Sequence, residues 1–206
     1  MIPYLHTLDV ELFWRINTTR TPTLDSFFEL FTNLGSAWVA VPVIVAVLLL
    51  RMRRGTWVHA IVFMAVAMSL SGIVNSSIKS LAGRPRPLRY FGMQRTDAIE
   101  DGADLPPGPG RESLMPHVVG PRWKHRSFPS GHANTAFSSA MVLFMLLGGW
   151  WFLAFVIAAL VAYSRVYVGV HFPLDTVAGA FVGAFVTHLV FIAYHKWVYP
   201  FQKDEP

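Results

Sequence analysis

Four long stretches without Asp, Glu, Lys or Arg constrain the fold of this chain more than any other feature. They are residues 30–50, 55–78, 127–164 and 176–195. A helix needs about 20 apolar residues to cross the hydrocarbon core of a bilayer. The third stretch is too long for one crossing, and its Gly148-Gly149 pair followed by Trp150-Trp151 predicts a tight helical hairpin with aromatic residues at the membrane interface.

We therefore predict an all-α protein, a polytopic transmembrane helical bundle with Pro42 kinking its first span but not ending it. Only 14% of the residues are charged, against about 25% in soluble domains. This composition excludes a soluble enzyme or a nucleic-acid-binding module. No Cys is present, which excludes disulfides and thiolate metal sites. Five spans are predicted, near residues 34–51, 57–78, 131–147, 150–166 and 174–196.

The segment 1–33 carries charges too frequently for a signal peptide. Leu5, Leu8, Leu12 and Ile16 recur at helical spacing, which is typical of a helix lying in the membrane interface. A sixth, weakly apolar span is the alternative. We treat residues 1–206 as one domain, with 1–33 as an interfacial N-terminal segment and 80–128 as a long extracytoplasmic loop.

Basic residues in short loops predict the orientation. Arg51, Arg53 and Arg54 follow the first span, and Lys196 and Lys203 follow the last, so both regions should be cytoplasmic. The loop after the second span then faces the periplasm or the cell exterior of a bacterial inner (plasma) membrane. Against this, the segment 79–126 has nine basic and five acidic residues, a net charge of +4. Either the orientation is inverted or these cations have a chemical role.

Polar residues cluster where the predicted spans reach this outer face. Each cluster has an ordinary explanation: Lys79 and Arg165 as snorkelling anchors, Ser130 as a helix N-cap, and His171 with Asp175 as a weak i, i+4 pair. Anchoring does not call for imidazoles, however. The clusters are Lys79 to Pro87, Pro129-Ser130-Gly131-His132, Ser164-Arg165 and His171 to Asp175.

Together these residues form a set suited to phosphoryl transfer without a metal or cofactor. Lys79, Arg86 and Arg165 offer donors for phosphate oxygens. Ser130 and Gly131 add a hydroxyl and backbone N–H groups at a helix N-terminus. Asp175 can fix the tautomer of His171 and leave the other ring nitrogen as a nucleophile. His132 can protonate the departing oxygen.

The motifs Lys79-x6-Arg86-Pro87, Pro129-Ser130-Gly131-His132 and Ser164-Arg165-x5-His171-x3-Asp175 resemble the three signatures of the type 2 phosphatidic acid phosphatase superfamily. The resemblance covers roughly residues 72–190. It implies a membrane lipid phosphatase with His171 as nucleophile, Asp175 as its orienting partner and His132 as general acid. The implied phosphate-binding residues are Lys79, Arg86, Ser130, Gly131 and Arg165.

The resemblance implies a phosphorylated membrane lipid as the substrate, with no nucleic-acid partner, metal or cofactor. Undecaprenyl diphosphate, phosphatidylglycerol phosphate, phosphatidate and lipid A phosphates all stay open, with a slight preference for a prenyl diphosphate. A transporter and a lipid phosphotransferase on the same fold are the alternatives. Arg84 and Arg89 are candidates for a second phosphate or headgroup. We expect residues 96–121 to be a loop, and the oligomeric state stays open.

Overall fold

A computed structural model describes residues 2–53, 56–100, 115–120, 122 and 125–197. Two 3₁₀ segments, Thr32–Gly35 and Gly149–Leu153, join successive helices. The α-helices within these ranges are α1 (Ile2–Asn17), α2 (Pro22–Phe31), α3 (Ala37–Arg51), α4 (Thr56–Ala82), α5 (Pro87–Glu100), α6 (Gly131–Leu147), α7 (Ala154–Tyr167) and α8 (Pro173–Trp197).

The predicted multi-pass helical bundle is confirmed, with α6 at its centre against α3, α4, α7 and α8. Among the described residues, three helical segments are long and apolar enough to cross a membrane. A bent pair, Pro22–Gly35 with Ala37–Arg51, would add a fourth. Helix α6 is apolar but has only 17 residues. At 1.5 Å per residue it is about 26 Å long, which is shorter than the roughly 30 Å hydrocarbon core of a bilayer. Five or six spans therefore remain predictions.

Close packing of α6 on α8 sets the geometry of the bundle. A Cβ atom at Gly179 or Gly183 would lie 2.3 Å from a backbone carbonyl oxygen of α6, so both positions require glycine. Small residues four apart allow helices to approach closely in membranes. Further along, Ser138 Oγ and Thr187 Oγ1 share a 2.7 Å hydrogen bond. As a result, the N-terminus of α6 lies directly beside that of α8.

The predicted hairpin between the third and fourth spans is present. Gly148 and Gly149 both have positive φ, at +59° and +52°, a conformation that favours glycine. Trp150 is 81% exposed, as expected for an interfacial aromatic residue. Pro42 lies inside α3 without ending it.

The N-terminal segment differs from the single interfacial helix that we predicted, because it contains both α1 and α2. Thr21 caps α2 by accepting a hydrogen bond from Leu24 N, and Pro22 occupies the first helical position, so the helix start was readable from sequence. The axis bends by 66° between the segment Pro22–Gly35 and α3. Leu5, Leu8 and Leu12 are exposed on α1, as a lipid-facing stripe would be.

The stretch 96–121 is not a loop throughout, which corrects our prediction. Helix α5 begins at Pro87 and continues to Glu100. It forms because Phe91 is buried against Phe13, with ring centroids 5.6 Å apart, a tertiary contact that periodicity alone does not reveal. Residues 101–114 lie outside the described part of the chain. Val119 N donates to Val168 O at 3.1 Å, which ties the end of the stretch to the end of α7.

Candidate active site

Four helix ends meet on one face of the bundle and bring the polar motifs together. Lys79 lies in the last turn of α4, Ser130 caps the start of α6, Arg165 lies in the last turn of α7 and Asp175 lies in the first turn of α8. Ser130 N donates to the backbone oxygen of Asp175 at 2.8 Å, which joins two of these ends directly. His171 lies between α7 and α8.

His171 and Asp175 form a buried pair. Nδ1 of His171 lies 3.5 Å from Oδ2 of Asp175, and the same oxygen accepts hydrogen bonds from Ser127 Oγ at 2.5 Å and from Phe172 N at 2.8 Å. Ser127 Oγ also lies 3.4 Å from Nδ1 of His171. A carboxylate facing Nδ1 favours the tautomer protonated there, which leaves the lone pair on Nε2.

The environment of His171 keeps its imidazole neutral. Burial lowers the pKa of His171 from 6.5 to about 3, and the positive charges of Arg86 and Arg165 act in the same direction. The hydrogen bond and the charge of Asp175 oppose this shift and raise the pKa. A neutral imidazole with Nδ1 protonated is the form in which Nε2 can attack phosphorus.

Arg165 is the most buried cation of the site, with 8% of its surface exposed. Its Nη1 donates to Thr32 Oγ1 at 2.8 Å, while its Nε has no hydrogen-bond partner among the residues that the structure describes. A buried donor without a partner is costly. An oxygen of a bound phosphate would satisfy it.

Arg86 and Lys79 complete the positive end of the site. Arg86 donates from Nε to His125 O at 3.0 Å and from Nη1 to Val170 O at 3.4 Å. These two bonds connect the guanidinium of Arg86 to the loop that precedes α6 and to the loop that precedes α8. Lys79 lies within electrostatic range of Arg86, Arg165 and Asp175. Lys79 and Arg86 thus lie within electrostatic range of Asp175, and Arg165 lies near both of these cations, an arrangement suited to an anionic ligand.

His132 lies one residue beyond Gly131 in the first turn of α6. It is within electrostatic range of Arg165, His171, Arg86 and Lys79. A Cβ atom added at Gly131 would meet no atom of the described residues within 4 Å. A ligand can therefore approach this backbone closely. His132 also lines a cavity of about 310 Å³, whose other lining residues are Glu29, Thr32, Asn33, Val119, Gly120, Arg165, Val168 and Val170.

Sequence reasoning missed three side chains that touch this set. Thr32, Ser127 and Asp9 contact Arg165, Asp175 and Arg84 respectively. Thr32 follows α2, which we did not predict. Ser127 stands two residues before the second motif, a position that motif spacing could have drawn attention to. Asp9 was counted only among the charges of the segment 1–33 that argue against a signal peptide.

Arg84, a candidate from sequence for a second phosphate or a headgroup, pairs with two carboxylates in the structure. Its Nη1 donates to Asp175 Oδ1 at 2.7 Å and its Nη2 to Asp9 Oδ2 at 2.5 Å. The guanidinium is committed to two carboxylates. Arg89 contacts the imidazole of His125, at the outer side of the loop.

Comparison with known proteins finds relatives that match most of this chain. A lipid A 4'-phosphatase of Bacteroides thetaiotaomicron is 30% identical over all of this chain and 85% of its own length. An undecaprenyl-diphosphatase of Sulfolobus acidocaldarius is 28% identical over 88% of this chain and 76% of its own. The crystal structure of Aquifex aeolicus LpxE superposes with a TM-score of 0.68, at 29% identity over 90% of this chain and 95% of that one.

The family comparison covers the site and most of the bundle. The sequence model of the PAP2 superfamily matches residues 60–199, a range that contains all the motifs, most of α4 and all of α5 to α8. The resemblance that the motifs indicated is therefore confirmed: the chain belongs to the PAP2 superfamily.

Proposed function

We propose that this membrane protein is a lipid phosphatase that hydrolyses a phosphomonoester or diphosphate headgroup through a phosphohistidine on Nε2 of His171. The observation that carries the proposal is the buried His171–Asp175 pair, which faces Arg165, Arg86 and Lys79. The related proteins from Bacteroides and Sulfolobus are a lipid A 4'-phosphatase and an undecaprenyl-diphosphatase. Both are hydrolases of phosphorylated lipids, which supports the same class of activity here.

In the first step, Nε2 of His171 attacks the terminal phosphorus, and the bond from that phosphorus to the leaving oxygen breaks. The leaving oxygen is the ester oxygen of a phosphomonoester or the bridging oxygen of a diphosphate. His132 donates a proton to that oxygen, so a lipid alcohol leaves, or a lipid monophosphate when the substrate is a diphosphate. In the second step His132 takes a proton from water, whose oxygen attacks phosphorus. The P–N bond then breaks, and inorganic phosphate leaves with His171 neutral again.

The cations stabilise the charge on the transferring group. Lys79, Arg86 and Arg165 would each pair with phosphate oxygens. The Nε of Arg165, which has no partner within the described ranges, is the donor with the most to gain. Ser130 and Gly131 would add the N-terminus of α6. Donors already in place act strongly where water is excluded. The charge of Asp175 would stabilise the cationic ring of the phosphohistidine.

The position of the site suits a headgroup at the surface of a bilayer. All the named residues lie at or just beyond helix ends, whereas transporters tend to place polar residues near the bilayer midplane. The cavity of about 310 Å³ beside His132 and Arg165 has room for a headgroup next to the phosphate. We propose that the site faces the periplasm or cell exterior of an inner membrane. The candidate lipids are the four named from sequence.

The test is phosphate release by detergent-purified protein from these four lipids, with EDTA present and with vanadate as inhibitor. We expect phosphate release from at least one lipid, and less than about 2-fold loss of activity with EDTA. Vanadate should inhibit by binding in place of the substrate phosphate. Among the described residues, no three His, Asp or Glu side chains converge to hold a metal ion. Loss of activity in EDTA that Mg²⁺ or Zn²⁺ restores would contradict the mechanism.

The same assay separates the alternatives. A phosphotransferase would release little phosphate until an acceptor lipid alcohol is added, and would then form a new phosphorylated lipid. A transporter would release none from any substrate. An acid-labile, base-stable phosphoenzyme, present in wild type and missing in His171→Ala, would identify the intermediate.

A further inference from the structure

Arg84 links the catalytic carboxylate to the N-terminal helix. One guanidinium nitrogen lies 2.7 Å from Oδ1 of Asp175, and the other lies 2.5 Å from Oδ2 of Asp9. The guanidinium also lies over the ring of Phe172, 4.4 Å from its centroid. Planar stacking and two charged partners fix its orientation more firmly than an exposed ion pair would.

Asp9 is held as firmly on its other side. Its side chain has no exposed surface, and its Oδ1 accepts a hydrogen bond from Leu174 N at 2.8 Å. Leu174 directly precedes Asp175 in the first turn of α8. A carboxylate is costly to bury unless it is paired and hydrogen-bonded, and here both oxygens have partners that belong to the surroundings of the active site.

Packing brings α1 to this position. Phe13, one turn after Asp9, is fully buried, and its ring lies 5.3 Å from that of Phe172. Asn17, one turn further, donates to the backbone oxygens of His117 and Tyr167 at 3.0 and 2.9 Å. One face of α1 is therefore fixed to the chain on both sides of His171.

The two oxygens of Asp175 have different partners. Oδ2 accepts from Ser127 and Phe172 N and faces His171, whereas Arg84 is the partner of Oδ1. If Oδ1 were not held, the carboxylate could rotate about its Cβ–Cγ bond. Rotation would turn Oδ2 away from Nδ1 of His171.

We propose that Arg84 and Asp9 are positioning residues for catalysis, with α1 holding the carboxylate that orients the nucleophile. The inference rests on the proposed function. The net charge supports the same role. Asp9, Arg84 and Asp175 together carry a charge of −1, and one positive charge on the phosphorylated imidazole of His171 would bring the total to zero. The N-terminal helix is thus part of the active-site structure as well as a membrane-facing element.

Each change to this row of charges has a predictable sign. Removing Arg84 takes one positive charge away from Asp175. The change favours the protonated form of His171, so the acid limb of the activity profile moves to higher pH. The other charged groups facing His171 are Arg86, Arg165 and His132, and they stay in place. Removing the charge of Asp9 frees Arg84 to turn away from Asp175.

The test compares Arg84→Ala, Arg84→Lys and Asp9→Asn with a matched control, Glu11→Gln. Glu11 lies on the same helix but pairs with Arg15 in an exposed contact. For Arg84→Ala we expect kcat to fall by about 10- to 100-fold, the size typical of groups that orient a catalytic side chain, with KM within about 2-fold. The acid limb of its kcat/KM profile should move up by about one pH unit.

Asp9→Asn should lower kcat by roughly 5- to 20-fold, and Arg84→Lys should restore part of the loss in Arg84→Ala, because a lysine keeps the charge without the fork. Glu11→Gln should keep wild-type values. Asp9→Asn preserves side-chain shape, so it tests the proposal even if Arg84→Ala melts at a lower temperature in detergent.

Wild-type kcat and an unmoved acid limb in both Arg84→Ala and Asp9→Asn would overturn the positioning role. A rise in KM alone for Arg84→Ala would also overturn it, because that result would place Arg84 on the substrate phosphate. Failure of the proposed function would appear elsewhere, as full phosphate release by His171→Ala.

Discussion

The two ends of this bundle each bring histidines to a cavity, yet they are built differently. At the end away from the active site, His59 and His195 line a cavity of about 130 Å³, together with Tyr194 and other residues of α4, α6 and α8. At the active-site end, His132 lines the larger cavity and His171 lies buried nearby.

The surroundings of the histidines separate the two ends. His171 is 2% exposed and has a carboxylate one helical turn away. His59 and His195 are exposed. Tyr194 donates to the backbone oxygen of His59 at 3.3 Å, and the His195 ring lies edge-on to Phe191. A histidine beside a cavity becomes a candidate nucleophile only where burial and an acceptor at Nδ1 decide which nitrogen carries the proton.

The sharpest way to break this comparison is to remove one histidine from each end. We expect His171→Ala to lower kcat by more than about 10³-fold, or above 4 kcal/mol of barrier, since the nucleophile itself is lost. His59→Ala should stay within about 2-fold of wild type. Phosphate release by purified, monodisperse variants is the measurement. Equal losses from the two variants would mean that the ends do not differ as described.

A second test compares arginines. Arg165→Lys should lower kcat/KM by roughly 10- to 100-fold, because a lysine cannot both reach Thr32 and offer a second donor to phosphate. Arg51→Lys, at the end of α3 on the opposite side of the bundle, is the matched control and should leave kcat/KM unchanged. Wild-type kcat/KM in Arg165→Lys would contradict a forked contact with phosphate.

Reporter fusions test whether the two ends of the bundle lie on opposite sides of the membrane. A reporter enzyme that is active only outside the cytoplasm should be about 10-fold or more active when fused after Gly110 than after Gly55. Short loops rich in arginine stay in the cytoplasm more strongly than long mixed loops do. Higher activity from the Gly55 fusion would invert the topology and restrict the enzyme to lipids of the cytoplasmic leaflet.

The smallest expected effect is on the pH profile. Because burial lowers the pKa of His171 to about 3, its imidazole stays neutral down to well below pH 5, and its protonation should cost kcat/KM less than about 2-fold between pH 7.5 and 5.5. A histidine at its ordinary pKa of about 6.5 would lose about 10-fold over that range. A 10-fold loss between pH 7.5 and 5.5 would contradict the burial effect. The substrate phosphate is titrated separately as a control.

Much of the chemistry was readable before the fold was known. The spacing of Lys79 and Arg86, the Ser130-Gly131-His132 run and the i, i+4 relation of His171 and Asp175 are local in the sequence. In the structure each of these groups lies at or just beyond a helix end. The apolar stretches likewise predicted the helical bundle, because in a bilayer only helices and closed barrels satisfy the backbone. Their roles in catalysis remain predictions for the tests above.

The sequence alone left Arg84 as a candidate for a second phosphate or a headgroup and indicated no partner for Asp9. The structure pairs these two residues, and each residue's partner lies at least 75 positions away. No local pattern pairs charges over that distance. Gly179 and Gly183 were partly readable from sequence. Their spacing indicates a close helix–helix contact, but it does not identify α6 as the helix that they contact.

The sequence therefore determined which side chains could do chemistry and which segments would be helices in a membrane, since both follow from residue type and short-range spacing. Only the tertiary structure decided which charges neutralise one another. Ion pairs such as Asp9–Arg84–Asp175 depend on how α1, the end of α4 and the start of α8 pack, and that packing results from apolar contacts such as Phe13 on Phe172.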